Sequence, residues 1–164
     1  MATLKSIQFQ AILDGPVAPP VLTHQQVGNS LHYEVAFPAA VAVGDNMIVG
    51  YLDNKQPLPE LGFISSDGGA TALTVDVGHG EYDTTSGVLT VTNVDSIVDG
   101  YVATSADSTR LLHDDAPTAG VFTRIESANT RVSKTVIIVT AVAETSGELA
   151  NLIISIPTSP VKTS

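Results

Sequence analysis

Apolar and polar positions alternate with a period of two along most of this chain. Ile7, Phe9, Ala11 and Leu13 share one face against Gln8 and Gln10, which predicts a first strand over Lys5 to Leu13. Leu31, Tyr33, Val35 and Phe37 repeat the pattern against His32 and Glu34, with Pro38 ending the strand. Further strands are expected at Met47 to Leu52, Thr71 to Val77, Val88 to Val94, Thr109 to His113, Val121 to Glu126 and Arg131 to Ala143, with a short apolar piece at Leu61 to Ile64. The most apolar part, Thr135 to Pro157, reads as a hairpin anchoring the core. Its β-branched run Val136 to Val139 is joined to Leu149 to Ile156 by the polar Glu144 to Glu148.

Turn residues separate these pieces. Asp14-Gly15, Gly44-Asp45, the Pro-bearing Asp53 to Pro59, Ser65 to Gly69 and Gly78 to Gly87 are expected loops. Asp95 is placed to cap one short helix with Ile97 and Tyr101 at i,i+4, weakened by Gly100. About ten short strands with at most one short helix predict an all-β chain, a two-sheet antiparallel sandwich or jelly roll. The expected organisation is an N-terminal strand with a Pro-rich arm or hinge over 1–20, the sandwich over 21–157 and a fraying polar tail over 158–164. Pro16, Pro19 and Pro20 suit either a linker or an arm that reaches a neighbouring subunit.

Composition narrows the partners. The 164 residues are enough for one domain that buries roughly 70% of its extended-chain surface. A formal net charge of −10 argues against a nucleic-acid surface. No apolar run approaches the roughly 20 residues of a membrane helix, and the N-terminus lacks the continuous apolar region of a signal peptide, so it is expected to be retained. Without Cys there is neither a disulfide nor thiolate chemistry. Aromatics at 5% and no Trp leave little with which to stack sugars or bases.

The order of pieces from Phe37 to Gly78 resembles small capsid-associated decoration, or cement, proteins of tailed bacteriophages. The matching steps are Phe37-Pro38-Ala39-Ala40, Val43-Gly44-Asp45, Met47 to Gly50, Pro57 to Pro59 and Leu73 to Gly78. A loop with a helical insert over Gly78 to Asp107 and closing strands over Thr135 to Ile156 extend the likeness, although Asp53 to Pro59 lacks the Pro-Ala-Gly character of that family. The resemblance implies a non-enzymatic β-sandwich, usually a homotrimer, that clamps major capsid proteins on the outer surface of the virion after synthesis in the host cytoplasm. It implies no cofactor. The alternative is a β-sandwich binding module of a phage tail or fibre, which recognises host-surface carbohydrate or another tail protein.

Chemistry-bearing residues are few. Asp76, His79, Glu81 and Asp83 place oxygen and imidazole ligands within eight residues, yet their spacing matches no established calcium or zinc loop. Solvated loop is the plainer reading, and no metal is expected. The pairs Glu81 with Asp83 and Asp95 with Asp99 carry no glycosidase signature by spacing alone, and His113-Asp114-Asp115 lacks a nucleophile context. His24 and His32 read as surface residues. Tyr33 and Tyr51 are expected in the core, whereas Phe9, Pro19, Pro20 and the loop residue Tyr82 are the interface candidates.

Overall fold

The structure, a computed structural model, describes residues 3–5, 30–37, 41–52, 55–58, 61–68, 72–110, 125, 130–143 and 150–160. Within them lie ten strands: β1 (Thr3–Lys5), β2 (Ser30–Phe37), β3 (Asn46–Tyr51), β4 (Lys55–Pro57), β5 (Phe63–Asp67), β6 (Thr74–Asp83), β7 (Leu89–Val102), β8 (Ala106–Arg110), β9 (Ser133–Ala143) and β10 (Ala150–Pro160). No α-helix occurs among the described residues. The expected all-β, two-sheet antiparallel architecture is the observed one.

One sheet runs β1-β3-β9-β6-β7 and the other β2-β10-β5-β8, with β4 on β10. Antiparallel pairs are nested: β2 with β10, β3 with β9, β5 with β8, and β6 with β7. Successive pairs fall in opposite sheets, and β10–β5 and β9–β6 contacts complete each sheet. This is one long hairpin of four strand pairs rolled on itself, the connectivity of an eight-stranded jelly roll. β1 adds a parallel edge outside the roll, Thr3 opposite Asn46.

Apolar residues from both sheets meet in a single core. Val35, Ile64, Leu152 and Ile154 come from one sheet; Val49, Val77, Ile137 and Val139 come from the other. Burying each such side chain contributes roughly 1.5–3 kcal/mol. β9 is buried on both faces, because Ile48, Tyr82, Val136 and Ile138 form a second cluster on the side of its sheet away from that core.

Several expectations change. The Thr135 to Pro157 hairpin does not form: β9 and β10 are the inner strands of opposite sheets, β9 between β3 and β6 and β10 between β2 and β5. Two apolar runs joined by a short polar segment suit a hairpin and a sheet-to-sheet crossing equally, and here each run already has two neighbours. The helix at Asp95 is replaced by β7, in which Val77 faces Val98 and His79 faces Asn93. Two residues of β6 therefore span five of β7, and this bulge sends Ile97, Val98 and Tyr101 into the core without a helical turn. The Gly78 to Gly87 loop is strand as far as Asp83. The Asp53 to Pro59 loop contains β4, and the tail expected from Thr158 continues β10 to Pro160 against Pro57, Gln56 and Lys55. The rest of the Lys5 to Leu13 strand lies outside the described residues, as does Val121 to Glu126 except for the buried Ile125.

Candidate functional site

The β6–β7 hairpin carries most of the titratable side chains singled out by sequence, so its local geometry decides what they can do. Gly78 and Gly80 allow β7 to cross close over β6. A Cβ on Gly78 would lie 2.1 Å from the Asn93 carbonyl oxygen and 2.4 Å from Val94 backbone atoms; on Gly80 it would lie 2.7 Å from the Thr90 carbonyl oxygen. Only glycine tolerates such approach. The residues that made this stretch look like a loop are those a tightly coiled strand pair needs.

Asp76, His79, Glu81 and Asp83 are used separately. Asp76 lies between the core residues Val75 and Val77, and its Oδ1 accepts a hydrogen bond from the Gly100 amide at 2.8 Å. Burial raises its pKa, the Gly100 bond opposes that, and the nearby Asp99 and Asp95 raise it further. His79 Nδ1 shares a 2.8 Å hydrogen bond with Ser96 Oγ, and burial lowers its pKa. That bond ties the bulge to β6. Glu81 is exposed and accepts a long 3.4 Å bond from Ser133. Asp83 Oδ1 accepts from the amides of Thr85 at 2.7 Å and Ser86 at 3.0 Å, shaping the turn that Gly87 completes at φ 73°. Those amide bonds, Ser86 foremost, hold its carboxyl below the usual range. Among the described residues, no three His, Asp or Glu side chains gather as a metal-binding group.

Glu81, Asp83, Ser86, Val88, Thr90 and Ser133 line a shallow depression at this end of the hairpin. Asp95 and Asp99 sit beyond it, close to Asp76. Tyr82 is in β6 and 2% exposed, packed with Ile48, Val136 and Ile138. It faces the second cluster, where the sequence suggested a presented loop residue. Phe9, Pro19, Pro20, His24 and His113-Asp114-Asp115 lie outside the described residues. His32 is a surface residue, 4.0 Å from Glu34, a pair worth little in water. Tyr33 is buried in the core as expected, whereas Tyr51 is half-buried against the second cluster, on the face of its sheet away from that core.

Two features were not anticipated. The Tyr33 hydroxyl is buried and finds no hydrogen-bond partner among the described residues. Val88, Val94 and Val102 are exposed along or beside β7, at 56%, 37% and 52%. Alternation gives the first no signal, whereas it places Val94 on the same exposed face as Thr90 and Thr92.

No family model matches the chain, and no curated protein sequence matches it. Among solved structures, a chain from the capsid of Ralstonia phage GP4 aligns with 99% of this chain and 100% of its own, at 17% identity and a TM-score of 0.52. The likeness is therefore one of fold, extending over the whole of both chains.

Proposed function

We propose that this chain is a structural component of a phage virion, and more narrowly a decoration or cement protein. It acts as a homotrimer on the outer surface of a tailed-phage head, bridging and stabilising major capsid proteins, and performs no catalysis. The observation that carries this reading is the full-length fold likeness to a chain from the Ralstonia phage GP4 capsid. The layout of turns from Phe37 to Gly78 supports it from the sequence side. The polar groups fit a passive role as well: Asp76, His79 and Asp83 each hold their own sheet or turn together. A clamp works through complementary area, and three copies make a weak contact count through effective concentration.

Sedimentation and binding to purified empty heads test the proposal together. The expected result is a trimer that binds heads and raises the temperature at which they rupture, with cryo-electron microscopy locating it outside the shell. A monomer without affinity for expanded heads would overturn it.

A further inference from the structure

Four apolar side chains on the outer face of the sheet containing β3, β9 and β6 are shut off from water. Ile48 of β3, Val136 and Ile138 of β9, and Tyr82 of β6 are exposed by 0%, 0%, 0% and 2%, on the side away from the core. An uncovered sheet face looks different: on the outer face of the other sheet Phe63 is 38% exposed, and Glu34, Ala36 and Asn151 are exposed as well. At the β6 end the cover is β7, whose backbone crosses over Gly78 and Gly80 and whose Leu89 and Val91 pack against the cluster. Among the described residues the other partly buried apolar side chain against it is Tyr51, which belongs to β3 itself, and β9 separates Ile48 from β6 and β7. The β3 and β9 side of the cluster therefore needs a further cover. β1 marks where one begins, since its last residue, Lys5, pairs with Ile48 and residues 6–29 follow before β2. In an extended chain Ile7, Phe9, Ala11 and Leu13 share one side, with Gln8 and Gln10 on the other. At ~3.3 Å per residue Ile7 to Leu13 reaches about 20 Å, ample for the roughly 10 Å from β3 to β6 at ~4.8 Å per strand. The other long stretch, 111–124, leaves β8 at the end of the opposite sheet and returns at Ile125 in the main core.

We propose that this outer sheet face is the docking surface for the chain's own N-terminal segment, whose Ile7, Phe9, Ala11 and Leu13 lie on Ile48, Val136 and Ile138. The pairing of Lys5 with Ile48 delivers the segment to the cluster, and its alternation matches one apolar side to one apolar face. Covering these side chains stabilises the sheet through the apolar area removed from water. Pro16, Pro19 and Pro20 then carry the chain on toward β2 in extended form, asking for no ladder donor. The inference goes beyond the capsid reading and does not depend on it.

The chain has no Cys, so a nitroxide can be attached at Gln10→Cys, on the polar side of the segment, in the full-length protein. Thr118→Cys places the same nitroxide in the 111–124 stretch as the comparison. Isoleucine methyl NMR reads the result: Ile48 and Ile138 report on the cluster, and Ile153, between the core residues Leu152 and Ile154, reports on the outer face of the other sheet. The expected outcome is loss of most of the Ile48 and Ile138 signal from the Gln10 position, with Ile153 retained. Full Ile48 and Ile138 signals, or their loss from the Thr118 position alone, would overturn the proposal. Isotope-labelled chain without nitroxide, refolded together with unlabelled chain bearing it at Gln10→Cys, identifies whose segment docks. Retained signals in that mixture support the chain's own segment; broadened ones assign a second copy and overturn it. Urea unfolding supplies an independent measure: Ile7→Ser with Phe9→Ser should lower the folded-to-unfolded ratio at least about tenfold, and Gln8→Ser with Gln10→Ser should leave it unchanged. An unchanged ratio in the first pair would overturn the docking, while the capsid reading stands or falls on head binding.

Discussion

Tyr33→Phe removes one atom from the core and should make this protein more stable. The Tyr33 ring lies on the face of Gly50, where a Cβ would approach its Cε1 to 2.5 Å, so the ring is held by contacts that Phe retains. Its hydroxyl is buried without a partner among the described residues, and burial, followed by the nearby Tyr51, pushes its ionisation far above the ordinary range. An unpaired buried hydroxyl costs roughly 1–3 kcal/mol of lost hydration. The space left by one oxygen, about 10 Å³, costs only about 0.2 kcal/mol at 24 cal/mol per Å³. The balance is a gain of about 1 kcal/mol, or roughly 2–4 °C in melting temperature for a chain of this size. Urea unfolding of the two proteins measures it, and an unchanged m-value shows that the same surface is exposed. A loss of about 1 kcal/mol or more would refute the reasoning, because it would mean that the hydroxyl is hydrogen-bonded.

Three further outcomes are expected. Gly78→Ala drives a methyl group into Asn93 and Val94 backbone and should cost more than about 3 kcal/mol, or prevent folding, in the same urea assay. Thr140→Val strips the buried Asn46 Oδ1 of its 2.6 Å donor and should cost about 1–3 kcal/mol, whereas an exposed Thr92→Val should fall within about 0.5 kcal/mol. Asp76→Asn keeps an acceptor for the Gly100 amide and removes a charge repelled by Asp99 and Asp95. Because the folded-state pKa of Asp76 is raised, its ionisation weakens the fold as pH climbs from the unfolded pKa through the folded one. The variant should thus gain stability at pH 7 relative to wild type and lose that advantage at about pH 3, below the ordinary Asp pKa; melting curves that shift equally at both pH values would contradict this.

β1 is an addition to the roll. It lies outside the nested pairs of the roll, adding three residues in parallel to β3. Removing β1 should therefore leave the eight-stranded core to fold, in contrast to any change within β9 or β10.

Much of the architecture was legible without coordinates. Alternation at Leu31 to Phe37 and the β-branched run of β9 are local signals, and a residue's preference for a pleated, buried face is set largely by its own side chain. The all-β character of the described residues followed from that. Which strand lies beside which is a different question, since a polar connection of a few residues can close a hairpin or cross between sheets. Only the neighbours already bound to β9 and β10 decide, and they are supplied by residues around 31–37, 46–51, 63–67 and 74–83. The Gly78 to Gly87 stretch reads as a loop for the same reason: its glycines look like turn residues until β7 presses on Gly78 and Gly80. Asp76, His79, Glu81 and Asp83 are close in sequence, but strand alternation and the bulge give each a different partner. Composition and period set the kind of fold, and long-range pairing set where every polar group points.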